Sequence, residues 1–252
     1  MSLMKVAVFS DVHGNALALD AVLADIALIG VDAFWVVGDL VANGPDPAGP
    51  IRKLRSLPNA LFVRGNTDRK TLTGPNPAGT GMGLPAEPAK LLNLIETEQN
   101  FAWTRGAITA VGALDWLAAI PLEQRVTLPD GTRVLIVHAA PGHDDGPGIN
   151  PQLNHQEIAT ALDGCNADLV IVGHTHKPLD KTVNGMRAFA VGSVSLPATS
   201  DRRAMWTLLR VEENSYQLER HFVEYDIDQV VRALDQVRHP AAETLKRKFT
   251  GA

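Results

Sequence analysis

Apolar runs and amphipathic segments alternate along the first third of the chain. Residues 6–10 form an almost wholly apolar run, as in a strand buried on both faces, and residues 16–28 carry apolar side chains at helical spacing. The same alternation follows as a strand over 33–37, a helix over 47–56 and a strand over 60–63. Strands that alternate with helices are typical of a parallel sheet, whose crossover connections are right-handed.

Two helical patterns and then mostly strand-like runs make up the rest of the chain. The helices are predicted over 89–103 and 107–119, and from residue 125 onward short apolar runs predominate. Residues 129–132 and the pair Asn184-Gly185 have the composition of hairpin turns. Strands are predicted over 126–128, 133–137, 169–172, 182–183, 187–191, 206–211 and 217–223, and closing helices over 227–237 and 242–249.

This many strands fit one domain only if they form more than one sheet. We therefore expect a single α/β domain over residues 1–252, in which two mixed sheets pack face to face with helices on both outer sides. A segment at about 74–88 differs from the rest, since it holds four glycines and four prolines, and no regular element is expected there. It is either a tolerated surface insertion or a flap over a neighbouring site.

The bulk composition narrows the class of protein. Hydrophobic residues make up 45% of the 252 residues and charged residues 20%, as in ordinary globular domains. The formal net charge of -5 argues against a general nucleic-acid binder, which needs clustered Lys and Arg for phosphate contacts. No apolar run approaches the roughly 20 residues of a membrane span. Cys165 is the single cysteine and the N-terminus carries no signal-peptide pattern, so we expect a cytoplasmic protein without a disulfide.

Seven side chains that bind metals well follow predicted strands, in five short stretches of the chain. They are Asp11, His13, Asp39, Asn66, His138, His174 and His176. Open α/β sheets place ligand sites at the carboxyl ends of their strands, so we expect these side chains to converge on one crevice. Taken singly, such an Asp is more often a cap or turn residue. That interpretation does not account for the five stretches together.

Asp, Asn and His in combination suit a pair of divalent cations. A carboxylate can bridge two ions, and two ions about 3.5 to 4 Å apart activate water and hold a phosphate group. Imidazole mixed with hard oxygen ligands favours Mn²⁺, Fe²⁺, Zn²⁺, Co²⁺ or Ni²⁺ over Mg²⁺ alone. The sequence thus predicts a metal-dependent hydrolase.

In this order the motifs resemble those of the calcineurin-like metallophosphoesterase superfamily, and in particular its small prokaryotic phosphodiesterases. The matching stretches are Asp11-Val12-His13, Gly38-Asp39, Gly65-Asn66-Thr67-Asp68, His138 and Gly173-His174-Thr175-His176. The resemblance implies one metal ion held by Asp11, His13 and His176. It implies a second held by Asn66, His138 and His174, with Asp39 bridging both. It also implies that a hydroxide bridging the metal ions hydrolyses a small phosphate ester, above all a phosphodiester.

One position departs from the family pattern. Many members carry His after the Gly-Asn pair, where it is thought to contact the phosphate and protonate the leaving oxygen, whereas this chain has Thr67. A threonine hydroxyl can donate a hydrogen bond but is no general acid near neutral pH. We therefore count Thr67 among the candidate catalytic residues. We hypothesise that the enzyme prefers esters with good leaving groups or uses another acid, for which His143 is a candidate.

Other candidate site residues flank the Asn66 motif. Arg64 and Arg69 are candidates for binding substrate phosphate as charge-assisted donors, although solvated or salt-bridged arginines fit the pattern equally well. Asn66 is a candidate for contacting substrate as well as metal, and Asp68 for orienting its neighbours. Three histidines lie in no motif and are expected at the surface: His155, His221 and His239.

Two other functions stay open from the sequence. The first is a phosphomonoesterase or phosphoprotein phosphatase, which Thr67 counts against because alkyl leaving groups need protonation. The second, of another class, is a metal-binding scaffold without activity. Nucleic-acid and membrane partners are not expected, and a homo-oligomer is compatible with the sequence.

Overall fold

The structure of the protein is a computed structural model, and it describes residues 4–74 and 87–251. In chain order its elements are β1 (Met4–Phe9), α1 (Ala16–Ile29), β2 (Ala33–Val37), α2 (Ala48–Leu54), β3 (Ala60–Val63), α3 (Asn66–Thr73), α4 (Pro88–Ala110), α5 (Leu114–Ala118), β4 (Glu123–Thr127), β5 (Arg133–Val137), α6 (His155–Leu162), β6 (Leu169–Val172), β7 (Leu179–Val183), β8 (Met186–Ala190), β9 (Ala204–Val211), β10 (Tyr216–Val223), α7 (Ile227–Gln236) and α8 (Ala242–Thr250).

The strands form two mixed sheets. The first has the order β10-β9-β1-β2-β3, in which β1, β2 and β3 are parallel and β9 runs antiparallel to both β1 and β10. The second has the order β4-β5-β6-β8-β7, with β5, β6 and β8 parallel and an antiparallel strand at each edge. The predicted mixture of parallel and antiparallel strands is confirmed.

Alternate side chains of the inner strands place the core between the two sheets. In β1, Val6 and Val8 face the second sheet and pack with Ile136 of β5 and Ile171 of β6, whereas Phe9 faces outward. This alternation is the period of two that a strand imposes. The outer side of the first sheet packs on α1, α2 and α5, and the outer side of the second packs on α6. The fold is therefore the predicted sandwich of two sheets between helical layers.

Three local predictions are wrong or incomplete. The two helices expected over 89–103 and 107–119 are divided elsewhere, because α4 runs through Gly106 to Ala110 and the break comes at Gly112, whose φ of 63° ends the helix. The helix α3 was not predicted, since its residues are largely polar and lack apolar spacing. The helix α6 was not predicted either, although Asn154 and Glu157 form a capping box at its start.

His239 is buried, in contrast to the surface position expected for it. Only 4% of it is exposed, its ring meets Trp103 of α4 edge to face at 4.8 Å, and its Nδ1 accepts the backbone N–H of Ala241. Burial lowers the pKa of His239 to about 4. It acts as a neutral packing residue that joins α4 to the turn before α8.

The Gly- and Pro-rich segment at 74–88 lies mostly outside the described residues, so its predicted role as insertion or flap stays a prediction. At its edges, Gly74 ends α3 and Pro88 begins α4. Among the helices of the described ranges, none combines the length and the apolar character needed to cross a bilayer.

Candidate metal centre

The predicted ligands lie at one rim of the sandwich, where strands of both sheets end. Asp11 follows β1, Asp39 follows β2 and Asn66 follows β3, all in the first sheet. His138 directly follows β5, and His174 and His176 follow β6 in the second sheet. Because these strands are parallel within each sheet, their carboxyl ends share an edge.

One group of donor atoms surrounds Asp11. The Nε2 atoms of His13 and His176 lie 3.1 Å apart, and they lie 3.7 and 3.2 Å from Asp11 Oδ1. Ligand atoms at about 2.0 to 2.2 Å from one ion are separated by about 3 to 3.5 Å. The three side chains thus face a common point at a spacing that suits a single cation.

A second group surrounds Asp39. Its Oδ1 lies 3.3 Å from His138 Nε2, while its Oδ2 lies 3.6 Å from His13 Nε2 in the first group. Asp11 completes this group with Asp39 and His138. Beside it, His174 Nδ1 and Asn66 Oδ1 face each other at 3.1 Å, and the ring centroids of His138 and His174 lie 5.2 Å apart. The two carboxylate oxygens of Asp39 therefore face different histidines, an orientation that suits a carboxylate shared by two ions.

Backbone carbonyls fix which ring nitrogen three of the four histidines offer to the site. His138 Nδ1 lies 2.7 Å from Val37 O, His176 Nδ1 lies 2.6 Å from Leu196 O, and His174 Nε2 lies 2.8 Å from Gly146 O. A carbonyl only accepts, so each of these nitrogens carries a proton and leaves the opposite nitrogen free to bind a metal. Metal-binding histidines are held in this way in many proteins.

Two buried polar atoms at this rim lack hydrogen-bond partners within the described part of the chain, as expected of atoms that would bind metal ions. Asp11 Oδ1 and His138 Nε2 are buried and have no hydrogen-bond partner among the described residues. Buried polar atoms normally have partners, and a lost partner costs about 1 to 3 kcal/mol. Divalent cations would satisfy these atoms, so the donor set and its spacing fit the metals that the motifs imply.

The electrostatics of the site stem from packing imidazoles around buried carboxylates. Burial alone would raise the pKa of Asp39, but His138 and His13 lower it to about 2. In the same way His176, His13 and His138 hold the pKa of Asp11 well below its usual range against the effect of burial. Burial lowers the pKa of His138, yet Asp39 and Asp11 raise it to about 10. The carboxylates thus stay ionised, and a bound cation would take the place of protons on the imidazoles.

Five of the predicted ligands have left-handed backbones. The φ angles are 59° at Asp11, 49° at His13, 54° at Asp39, 68° at His174 and 57° at His176. Such values are uncommon for residues other than glycine, cost free energy, and cluster at functional sites. Each marks a point where the chain turns sharply out of its strand and presents the side chain to the rim.

The motif glycines allow the ligand loops to approach one another. A Cβ atom on Gly38 would lie 2.5 Å from His138 Nδ1, one on Gly65 would overlap Asp39 Oδ1, and one on Gly173 would overlap Ser10 Oγ. The glycine before each of Asp39, Asn66 and His174 is therefore required by contact between loops.

Asp68 connects two of these loops. Its Oδ1 accepts the backbone N–H groups of Leu40 and Val41, and its Oδ2 accepts that of Gly65. Burial and the charge of Asp39 raise the pKa of Asp68 to about 7, while the backbone donors act in the opposite direction. It holds the Asp39 loop against the Asn66 loop, and its role in orienting the site stays a prediction.

Thr67 is turned away from the donor atoms. Its hydroxyl donates to Val41 O at 2.9 Å, only 5% of the residue is exposed, and its backbone N–H donates to Asp39 Oδ1 at 2.9 Å. Through that N–H, Thr67 orients the carboxylate of Asp39. Its catalytic role stays a prediction.

The other candidate residues lie around a loop at residues 139–150. Arg64 and Arg69 both direct Nε to the carboxylate of Asp144, at 3.2 and 3.0 Å, which is the salt-bridged alternative considered for them. His143 is exposed and its backbone pairs with Ala140. The role of His143 as a proton donor and substrate contacts by the arginines both stay predictions.

No site residue was predicted in the segment 193–196, yet this segment supports the rim. Ser195 Oγ accepts from the side chain of Asn15, Ser195 N–H donates to Asp11 O, and the carbonyl of Leu196 accepts from His176. Asn15 also caps α1. These contributions are mainly backbone groups with no metal-binding chemistry, so residue type gives no signal for them.

Comparison with known proteins places the chain among phosphoesterases. Residues 4–214 match the Calcineurin-like phosphoesterase superfamily domain. In the solved structures, a metallophosphoesterase from Sphaerobacter thermophilus has a TM-score of 0.75 at 24% identity, covering 98% of both chains. A hypothetical protein from Pyrococcus horikoshii has a TM-score of 0.80 at 18% identity, covering 97% of both. At these identities the two structures support the fold alone.

Curated relatives include both a full-length match and partial ones. An uncharacterized protein of Methanocaldococcus jannaschii is 27% identical over 93% of both chains. A symmetrical bis(5'-nucleosyl)-tetraphosphatase of Pectobacterium atrosepticum is 40% identical over 63% of this chain and 47% of its own length. The chain thus spans about half the length of the tetraphosphatases it matches.

Proposed function

The chain belongs to the calcineurin-like phosphoesterase superfamily, and from that premise we propose that it hydrolyses phosphate esters, phosphodiesters in preference, at a centre for two divalent metal ions. The observation that carries the proposal is the orientation of Asp39. One of its oxygens faces His13 and the other faces His138, with unsatisfied buried atoms of Asp11 and His138 beside it.

The proposed ligand sets are those that the sequence motifs imply, and the donor atoms around Asp11 and Asp39 support them. Asp11, His13 and His176 would hold the first ion. Asn66, His138 and His174 would hold the second, and Asp39 would serve both. Mixed imidazole and oxygen donors favour Mn²⁺, Fe²⁺, Zn²⁺, Co²⁺ or Ni²⁺. When bound, the two cations would lower the pKa of the attacking water and stabilise negative charge on the phosphate oxygens.

The residues of the chain itself supply orientation and fixed tautomers. The N–H of Thr67 holds Asp39 Oδ1, so the carboxylate cannot rotate freely between the two groups. The carbonyls of Val37, Leu196 and Gly146 each accept a hydrogen bond from the ring nitrogen that faces away from the site, so the opposite nitrogen of each histidine is the one that would bind metal. A centre that is organised before substrate arrives needs little rearrangement during reaction, which favours catalysis.

The preference for diesters rests on what lies beside Asn66. The Thr67 hydroxyl already donates to Val41 O, so it is not available to protonate a leaving oxygen. The neighbouring Arg64 and Arg69 share Asp144, which offsets part of their charge. A monoester dianion with an alkyl leaving group requires both a proton and extra positive charge. A diester carries less charge, and one with a good leaving group needs no proton donor.

The tetraphosphatases among the relatives suggest a substrate class with that property. Their names specify bis(5'-nucleosyl) tetraphosphates, in which the leaving group is itself a phosphate. A phosphate leaves without being protonated first, so P–O–P linkages would suit the residues beside Asn66. We include such linkages among the proposed substrates.

A substrate panel tests the proposal. Metal-free protein reloaded with Mn²⁺, Co²⁺, Ni²⁺ or Zn²⁺ singly should hydrolyse bis-p-nitrophenyl phosphate faster than p-nitrophenyl phosphate, and phosphoserine slowest. Bis(5'-adenosyl) tetraphosphate and cyclic nucleotides complete the panel. Preference for phosphoserine would instead favour the phosphoprotein phosphatase alternative. Hydrolysis of none of these with any metal would favour a metal-binding scaffold.

The rate should fall steeply as the leaving group becomes more basic. Across a series of aryl phosphodiesters, log(kcat/KM) should decrease strongly with leaving-group pKa, because the Thr67 hydroxyl donates to Val41 O and is no general acid. The Thr67→His variant should make this dependence shallower, and Thr67→Val, which has similar shape and no hydroxyl, should leave it steep. A flat series for the unmodified protein would contradict the argument from Thr67.

A further inference from the structure

Five charged side chains form a network beside the candidate centre, which we call the Asp144 cluster: Arg64, Arg69, Lys70, Asp144 and Asp145. Asp144 accepts from Arg64 Nε at 3.2 Å and from Arg69 Nε at 3.0 Å. Asp145 accepts from Arg69 Nη2 at 3.1 Å and from Lys70 Nζ at 2.9 Å. The cluster therefore ties the start of α3 to the loop at residues 139–150.

The position of Asp144 makes this cluster stronger than a surface ion pair. Asp144 is 7% exposed, and the two arginine side chains are less than one-third exposed. Exposed ion pairs stabilise little, whereas loss of one partner from a buried pair leaves an uncompensated charge. Removing the charge of Asp144 would therefore leave two arginines without their shared partner.

The cluster lies next to the segments that carry the three ligands proposed for the second metal ion alone. Asn66 lies between Arg64 and Arg69 in the sequence, and His138 directly precedes the loop. Within the loop, Asp145 Oδ1 accepts the N–H of Gly146, whose carbonyl accepts from His174 Nε2 at 2.8 Å. Gly148 packs on the same ring, since a Cβ there would lie 2.8 Å from His174 Cδ2.

The ligands proposed for the first ion are held by other contacts. Asp11 N–H donates to Gly38 O and His13 N–H to Asp39 O, both in the first sheet's loops. His176 is held by the carbonyl of Leu196. None of these contacts involves the Asp144 cluster, and one further bond joins the two ligand sets, since the backbone N–H of His174 donates to Asp11 Oδ2 at 3.1 Å.

We propose that the Asp144 cluster is a positioning device for the second metal ion alone, so that its loss yields a protein that binds one ion well and the other weakly. The inference rests on the two-metal centre of the proposed function. It assigns Arg64 and Arg69 to the support of metal ligands, through Asp144 and the loop, in place of the substrate contact expected from the sequence.

The test is a titration of the metal-free Asp144→Asn variant with Mn²⁺. Binding is monitored by calorimetry and by electron paramagnetic resonance of Mn²⁺. The affinity of the second equivalent should fall about 10- to 100-fold, as is usual when a group that orients metal ligands is lost. The first equivalent should bind as in the unmodified protein. Asp144→Glu, which keeps the charge, should restore part of the second affinity.

Asp168→Asn is the matched control. Asp168 pairs with Arg133 at 2.8 Å, in an exposed ion pair at the start of β5, so this variant should bind both equivalents unchanged. If Asp144→Asn retains the second affinity, or loses both affinities equally, the inference is wrong although the proposed function stands. If the unmodified protein binds fewer than two equivalents, the proposed two-metal centre fails and the inference fails with it.

Discussion

Replacing Asp39 with asparagine is expected to lower kcat/KM for bis-p-nitrophenyl phosphate by at least about 1,000-fold. Metal ions contribute several kcal/mol of transition-state stabilisation, and each 1.36 kcal/mol corresponds to a factor of about ten in rate. Asp39 is ionised in the folded protein, since neighbouring His138 and His13 overcome the effect of burial and bring its pKa to about 2. The amide removes that charge at every pH near neutrality.

The geometry explains why the loss should exceed that of any other single ligand. Oδ1 of Asp39 faces His138 and Oδ2 faces His13, so each oxygen serves one of the two donor groups. Asparagine keeps one oxygen, which the N–H of Thr67 would hold in place of Oδ1. Its NH₂ group would then face the first donor group, and an amide NH₂ donates but does not bind a cation.

Measuring metal binding alongside the rate distinguishes loss of metal from loss of the fold as the cause of a lower rate. The Asp39→Asn variant should retain its fold by circular dichroism and bind the metal pair more weakly in Mn²⁺ titrations. Asp168→Asn carries the same chemical change in an exposed ion pair and should hydrolyse the diester at the unmodified rate. A rate for Asp39→Asn within tenfold of that rate would show that Asp39 is not the shared ligand.

The sequence was most informative where chemistry and spacing coincide. Residue types that bind metals well stand directly after apolar runs, and from this we expected the ends of β1, β2 and β3 to meet at one rim, as they do, because a parallel sheet brings successive strand ends to one edge. The two-sheet arrangement also followed from the number and kind of strands. In both cases a local sequence pattern is sufficient for the prediction. The two-residue period of a strand and the parallel connection between strands allow few other arrangements.

Contacts between segments that are distant in the sequence could not be predicted from it. Asp144 meets Arg69 across 75 positions of the chain, and neither residue type indicates the other as its partner. The left-handed backbones of Asp11 and His13 leave no mark on residue type, because they are imposed by the surrounding loops. Burial of His239 against Trp103 likewise depends on how α4 packs against the turn between α7 and α8. Tertiary packing decides all three.

Gly65, the glycine of the Gly-Asn motif, lies in contact with Asp39. Its replacement should have the second-largest effect on diester hydrolysis, after replacement of Asp39. The φ and ψ angles of Gly65 are −92° and 173°, which alanine adopts without strain. A Cβ at this position would nevertheless overlap Asp39 Oδ1, and it would also overlap Asp39 N. The Gly65→Ala variant must therefore displace either Asp39 or the start of α3, with Asn66 next in sequence.

Displacement of either ligand should lower diester hydrolysis by about 100-fold or more, the loss expected when reacting groups move by about 1 Å. Overpacking of this kind also destabilises a fold by about 1 to 3 kcal/mol, so the melting temperature should fall. Gly106→Ala is the matched control, because a Cβ on Gly106 meets nothing within 4 Å and its helical position favours alanine by up to about 1 kcal/mol. That variant should be as active as the unmodified protein and slightly more stable. If Gly65→Ala is as active as the unmodified protein, the glycine is not needed to let the Asp39 loop and the Asn66 loop approach each other. The proposal that Asp39 serves both metal ions would then lose this part of its structural argument.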